Sequence, residues 1–220
     1  TSSGIARYDP LTQTWLDTWT IENEGLHPNS HEDEEILELY VEGTNLWYSS
    51  GTGGGGWWSS SPTLQRMSGN DDNSDGTIDG NDHDVWETSN TQGLPEGDIW
   101  SMEECNGIMH FGIRWQGNFG GGGGVGRYNT TSDSWENTVW TNGNGLGDDD
   151  VSALACDDQD VVYIGYQDEG EGITRYDYST SNWLTTLDSS DGISEDSVWK
   201  DALSWGGGQL VIGHSFEDNS

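Results

Sequence analysis

Val162-Tyr163-Ile164-Gly165, then Gly172-Ile173-Thr174-Arg175-Tyr176-Asp177, then Trp183: this stretch decides the fold, because the chain repeats it. Arg7-Tyr8 and Arg127-Tyr128 also stand eight residues ahead of a tryptophan, counted from the arginine to Trp15 and Trp135. A Gly-Leu or Gly-Ile recurs at Gly25, Gly93, Gly145 and Gly192. A short apolar run then precedes the next arginine, as in Leu46-Trp47-Tyr48, Met109-His110-Phe111-Gly112 and Leu210-Val211-Ile212-Gly213. Self-similarity at a period of roughly fifty residues is the signature of a repeat architecture.

Each unit divides into four short segments. Strand A covers Ile36 to Val41, Ile99 to Glu103, Val151 to Ala155 and Val198 to Leu203. Strand B is the Leu-Trp-Tyr or Val-Tyr-Ile-Gly run, strand C ends at Arg-Tyr, and strand D surrounds the following tryptophan. Gly, Asn, Asp and Ser clusters separate them, and no segment sustains a helical period. Four strands per unit with radial repetition predicts an all-β fold, a β-propeller of four-stranded blades. The expected blades are residues 25–90, 93–141, 145–187, and 192–220 completed by 1–20, in one domain spanning 1–220. The alternative is half or a fragment of a larger propeller. Joining the ends gives a B-to-C distance of 14 residues (220 − 213 + 7), against 15 (127 − 112) and 10 (175 − 165) inside the chain. A blade latched by both termini therefore fits the repeat.

The segment Gly93-Leu94-Pro95-Glu96-Gly97-Asp98-Ile99-Trp100-Ser101-Met102 resembles the two-component-regulator propeller repeat, as do Val162–Gly165 and Gly172–Asp177. The resemblance covers nearly the whole chain. In the second unit Gln65-Arg66-Met67 stands in place of Arg-Tyr, so that unit has diverged. The resemblance implies an extracellular, cell-surface or periplasmic propeller that senses or binds, and it carries no transferable catalytic residues.

Charge narrows the partners. Forty acidic residues face six basic ones, for a net charge of −34. Such a surface repels nucleic acid and anionic membranes. It suits a solvated protein in salty surroundings, divalent cation binding, or a cationic ligand. Hydrophobic content is only 30%, but 13 tryptophans supply large buried areas and keep the chain among folded proteins. No run reaches the ~18 apolar residues of a membrane-spanning helix. Cys105 and Cys156 fall in corresponding segments of neighbouring repeats. Spacing alone makes no disulfide, and the reading is free, partly buried thiols.

One segment carries metal chemistry. Asp71-Asp72-Asn73-Ser74-Asp75-Gly76-Thr77-Ile78-Asp79-Gly80-Asn81-Asp82 matches the EF-hand calcium spacing. Asp71, Asn73 and Asp75 offer side-chain oxygens, Thr77 its carbonyl, and Asp79 and Asp82 carboxylates. Aspartate at the last place resembles dockerin loops, but no second loop is found and cohesin binding is not supported. The arginine-to-tryptophan distance in this unit is 20 (86 − 66) instead of eight. The excess of 12 predicts a calcium loop inserted at the C–D hairpin tip, with Trp86 left in its usual place.

Candidate ligand-binding residues lie on the loops of the opposite face: Trp57, Trp58, Trp115, Phe119 and Tyr166, with Asp148, Asp149 and Asp150. Aromatics with carboxylates suit a glycan or a peptide or protein ligand. Arg7, Arg127 and Arg175 recur too regularly for an active site and are read as stacking on blade aromatics or pairing with acids. His110 is read as packed. No catalytic residue stands out. The leading function is a non-enzymatic, calcium-stabilised binding propeller. A glycan lyase or hydrolase using acidic residues of the propeller face is the second class. A structural module or dimerising half-ring is the third, so the chain is a monomer or homodimer.

Overall fold

The computed structural model describes residues 4–20, 35–51, 63–68, 83–87, 91–114, 122–167, 170–193 and 197–214. Apart from one 3-10 turn at Ser189–Asp191, the regular structure among them is all strand, as expected. Two compact units divide the chain, Thr1–Asn90 and Thr91–Ser220.

The first unit holds a short hairpin, β1 (Tyr8–Asp9) with β2 (Thr14–Trp15). It also holds a four-stranded antiparallel sheet in sequential order: β3 (Glu35–Glu42), β4 (Asn45–Gly51), β5 (Thr63–Met67) and β6 (His83–Glu87). The second unit holds two such sheets. One comprises β7 (Asp98–Cys105), β8 (Ile108–Arg114), β9 (Gly124–Asn129) and β10 (Ser134–Trp135). The other comprises β11 (Val151–Cys156), β12 (Val161–Tyr166), β13 (Ile173–Asp177) and β14 (Asn182–Leu187). A two-stranded sheet, β15 (Val198–Gly206) with β16 (Gln209–His214), follows. In the repeat's lettering β15–β16 hold the A and B places, and β1–β2 the C and D places.

Local chemistry explains the turns. Asn106 and Gly107 both take positive φ, 54° and 74°, the type I′ geometry that suits a two-residue hairpin. At each regular C–D tip an Asx side chain accepts backbone N–H bonds. Asp9 accepts from Leu11 (2.8 Å), Asn129 from Thr131 and Ser132 (3.0 and 2.9 Å), and Asp177 from Ser179 (2.8 Å). These bonds hold the four-residue tip in one shape.

Packing in the second unit runs sheet on sheet. Val162, Ile164 and Tyr166 of β12 join one core with Cys105, Val125 and Trp140 of the preceding sheet. Val161 and Tyr163 point the other way, into a second core with Val198 and Leu203. Strict alternation along β12 thus buries both faces of its sheet. The first strands β7, β11 and β15 pack against one another. Serines staple them: Leu154 N–H donates to Ser101 Oγ (3.0 Å), and Ser152 Oγ donates to Val198 O (2.7 Å). Close approach requires glycine at the end of the B motif. A Cβ on Gly112 would lie 2.7 Å from Val151 Cγ1, and one on Gly165 only 2.8 Å from Val198 Cβ.

The second unit of the repeat departs from the expected register. Tyr8, Tyr128 and Tyr176 each pair with the tryptophan, at Trp15, Trp135 and Trp183. Met67, in the tyrosine place, pairs with His83 instead. Trp86 pairs with Leu64, matching the bridges Ile5–Trp19 and Val125–Trp140. Trp86 is therefore the counterpart of Trp19 and Trp140, not of Trp15 and Trp135. Measured on those counterparts, the arginine-to-tryptophan distance is 20 (86 − 66) against 12 (19 − 7) and 13 (140 − 127), an excess of eight or seven rather than twelve. A twelve-residue loop in place of a four-residue tip adds eight. Residues 71–82 themselves lie outside the described residues, on the connection between paired Met67 and His83.

The cysteines are joined, Cys105 to Cys156, with Cα atoms 5.6 Å apart, correcting the free-thiol expectation. The reason is register. Cys156 pairs with Val162, which holds the place of Met109, and Met109 pairs with Glu104. Cys105 lies one step beyond that place. One step turns a side chain to the other face of its sheet. Cysteines at identical places would both point one way; offset by one, they meet between the stacked sheets.

His110 sits in the same interface, fully buried as expected. Its Nδ1 donates to Glu103 O (3.3 Å), and its Nε2 accepts from the Tyr178 hydroxyl (2.6 Å). Burial, aided by the Arg127 charge, lowers its pKa from 6.5 to about 3.

Two outcomes are expected. Reducing the disulfide, which spans 51 residues, should lower stability by about 4 kcal/mol on loop entropy, read as a drop in denaturant midpoint. An unchanged midpoint would count against the bond. For His110, the folded pKa lies below the unfolded one, so the unfolded state takes up the proton first. Stability is whole above pH 6.5 and is lost as pH falls from there toward about 3, at roughly 1.4 kcal/mol per pH unit. Denaturant titrations at pH 6.5 and 5 should show that slope reduced by that amount in His110→Gln.

Candidate ligand site on the first strands

Six cations serve a chain of forty carboxylates, and their placement separates structure from function. Arg7 donates through Nε and Nη2 to Asp17 O (3.2 and 2.9 Å). Arg127 donates to Thr138 O (3.1 Å), and Arg175 to Thr185 O (3.0 and 2.5 Å). Arg7 and Arg127 also lie over Trp19 and Trp140, at 3.8 and 4.3 Å from the ring centroids. Two of the repeated arginines, Arg7 and Arg127, thus stack on blade aromatics as expected, while the hydrogen bonds of all three go to carbonyls two residues beyond the paired tryptophan or three beyond it. Arg66 does the equivalent work in the divergent unit. It pairs with Asp84 (2.5 Å) and lies over Trp47 and Trp86.

The two remaining cations meet on one ring. Arg114, the last residue of β8, places its guanidinium 4.3 Å from the centroid of Trp100 on β7. Lys200 on β15 places its ammonium 5.8 Å from the same centroid. All three side chains are half-buried. Arg114 Nε is buried without a hydrogen-bond partner. Beside them Ser101 Oγ donates to Asp201 Oδ1 (3.2 Å). Asp201 has φ 53° in the middle of β15, within the register jump between Val198 and Leu203. A non-glycine residue held in that region is a strained position of the kind that functional sites hold. Burial raises the Asp201 carboxyl above its ordinary range, opposed by the Ser101 bond and the Lys200 charge.

This cluster escaped the sequence reading because its members are scattered through the chain and Arg114 falls outside the Arg-Tyr register. The usable signals were the single lysine and an arginine where the next repeat has Gln167.

Of the residues expected to face a ligand, Tyr166 is fully buried and presents no ring face to solvent. Its hydroxyl donates to Thr174 Oγ1 (2.8 Å) and accepts from Gly147 N–H (2.9 Å). Burial pushes its pKa up to about 12. Tyr166 therefore anchors the loop that carries Asp148, Asp149 and Asp150, which are partly exposed. Asp148 Oδ1 accepts from Asp150 N–H (2.7 Å), and Asp149 Oδ1 from Asn142 N–H (2.6 Å). Trp57, Trp58, Trp115 and Phe119 lie outside the described residues, as do the loop ligands Asp71, Asn73, Asp75, Thr77, Asp79 and Asp82. Among the described residues no group of three or more His, Cys, Asp or Glu is placed to hold a metal ion.

No family model matches the sequence, and no curated protein matches it. Solved structures do share the fold. One is PorZ, a bacterial surface component of the type-IX secretion system of Porphyromonas gingivalis, with TM-score 0.60 and 12% identity over 94% of this chain. Another is the extracellular domain of a candidate one-component system, BT4673 from B. thetaiotaomicron, with TM-score 0.57 and 12% identity over 97% of this chain. The chain spans 27% and 24% of those two chains. At that identity the likeness is one of fold.

Proposed function

We propose that this chain is an extracellular or surface-exposed binding module, non-enzymatic, built as a β-propeller and stabilised by calcium in its second repeat. The observation that carries the binding reading is the placement of Arg114 and Lys200 on Trp100. Arg114 from β8 and Lys200 from β15 converge on a half-buried ring in a chain of net charge −34. The disulfide supports an oxidising compartment, where such bonds persist. PorZ is a surface component and the BT4673 domain is extracellular, which agrees. The propeller reading rests on the repeat, on the resemblance of its motifs, and on first strands gathered together in the second unit.

Binding without turnover is tested with an array of neutral and acidic oligosaccharides and peptides. The expected result is saturable binding of one class, with the ligand recovered unchanged. Cleavage of the bound ligand would transfer the chain to the glycan-active class.

Calcium is proposed from the loop spacing and from the hairpin register that sets residues 71–82 between Met67 and His83. Asp71, Asn73, Asp75, Thr77, Asp79 and Asp82 would hold the ion, which offsets their mutual repulsion. One calcium per chain by elemental analysis is expected, with a melting temperature lowered by chelator. Asp75→Ala should abolish both effects. No bound metal and no shift would remove calcium from the proposal.

A further inference from the structure

We propose that two copies of this chain associate by completing each other's interrupted repeat: the sheet β15–β16 of one copy fills a vacancy between the hairpin β1–β2 and strand β3 of the other. Such an association rests on the repeat and is independent of which ligand the module binds.

In the first unit, β1–β2 stands where the C and D strands of a preceding sheet belong. Ile5 bridges Trp19 and shares a core with Tyr48 of β4. In the same way Val125 bridges Trp140 and shares a core with Ile164 of β12, which holds the place of Tyr48. The strands that accompany β9 and β10 are β7 and β8, and they cover what this hairpin leaves open. Trp135 lies 5.4 Å from Phe111 of β8, ring centroid to centroid, and Leu154 of β11 is buried in a core with Cys105 of β7. Among the described residues β1–β2 forms a sheet of two strands only. Trp15, in the place of Trp135, is 73% exposed, and Tyr8 beside it is exposed too. On β3, Leu39 in the place of Leu154 is exposed, and Val41 in the place of Cys156 is 70% exposed. These four apolar side chains border one missing pair of strands, an A and a B.

The sheet β15–β16 is that pair. Among the described residues β16 has no strand on its second side. Val211 holds the place of His110 and Tyr163, which are buried against the sheet that follows their own, yet Val211 is 59% exposed. An open strand edge beside exposed apolar side chains is a template for another chain. The other repeats set the register. Met109 pairs with Tyr128 and Val162 with Tyr176, so Leu210 takes Tyr8, Val211 takes Arg7 and Ile212 takes Ala6. Ile212 then stands where Phe111 stands, against Trp15 in place of Trp135. Each copy carries one vacancy and one piece that fits it, and in a single copy both stay exposed. Exchange between two copies is reciprocal and satisfies both edges, the closed form of domain swapping.

The test is light scattering of the intact chain at rising concentration and rising salt. A dimer is expected, and salt should tighten it, because each copy carries a net charge of −34. Trp15→Ser and Val211→Asp change exposed positions on the two halves. Each should raise the dissociation constant at least about tenfold, the loss of one buried apolar side chain. A cross-link then locates the contact. Ala6→Cys combined with Ile212→Cys should, on mild oxidation, join residues 6 and 212 in a species of dimer mass, read from linked peptides. A monomer at every concentration and salt overturns the association. A dimer that both substitutions leave undiminished also overturns it, since another surface then holds the copies. The same link found in a species of monomer mass overturns the second copy as occupant. Should Trp15→Ser fail to fold, Val211→Asp and the cross-link decide. A monomer that still binds a ligand of the array loses the association alone and keeps the binding module.

Discussion

Sheets buried on both faces set the terms for everything else in this chain. Only 30% of its residues are apolar, so it cannot fill thick interfaces with aliphatic side chains. It lets the sheets approach closely instead, and packs tryptophan and tyrosine where gaps remain. Gly112 and Gly165 close the B motif because a methyl there would meet Val151 or Val198 of the next first strand. Around that seam the rings of Trp140, Tyr176 and Trp183 pack within 5 Å of one another, centroid to centroid. Offset and edge contacts of this kind add to the area they bury.

The same economy governs charge. With six cations for forty acids, pairing each carboxylate is impossible, and most remain solvated. Several exposed carboxylates serve locally instead. Asp9 and Asp177 accept hydroxyl and amide bonds at the hairpin tips, which hold their carboxyls below the ordinary range. The repeated arginines tie down the chain that follows each paired tryptophan.

Much of the fold was legible. Strand order within each unit and the packed His110 both follow from period and turn chemistry. Register is less legible than strand order. Trp86 looked like the partner of the missing tyrosine because arginine and tryptophan were counted along the chain. Pairing shows it to be the partner of Leu64, two residues before Arg66. The cysteine pairing is hidden from the sequence for a related reason. β7 and β8 turn in two residues, whereas β11 and β12 turn over Asp157–Asp160, and that difference shifts one cysteine by a step. The site was less legible than the fold: Tyr166 reads as a surface aromatic in a loop-rich stretch, yet it ends a strand buried on both faces.

By itself the sequence determined the repeat, the four-strand unit, the all-β class and the strongly acidic surface, because period, turn residues and composition are properties of neighbours along the chain. Tertiary structure alone decided that Cys105 faces Cys156, that Tyr166 turns inward, and that Trp100 gathers Arg114 and Lys200. Each of those depends on which face a side chain takes once sheets stack. A single step of register reverses that face, and the cations that meet at Trp100 come from strands separated by most of a hundred residues.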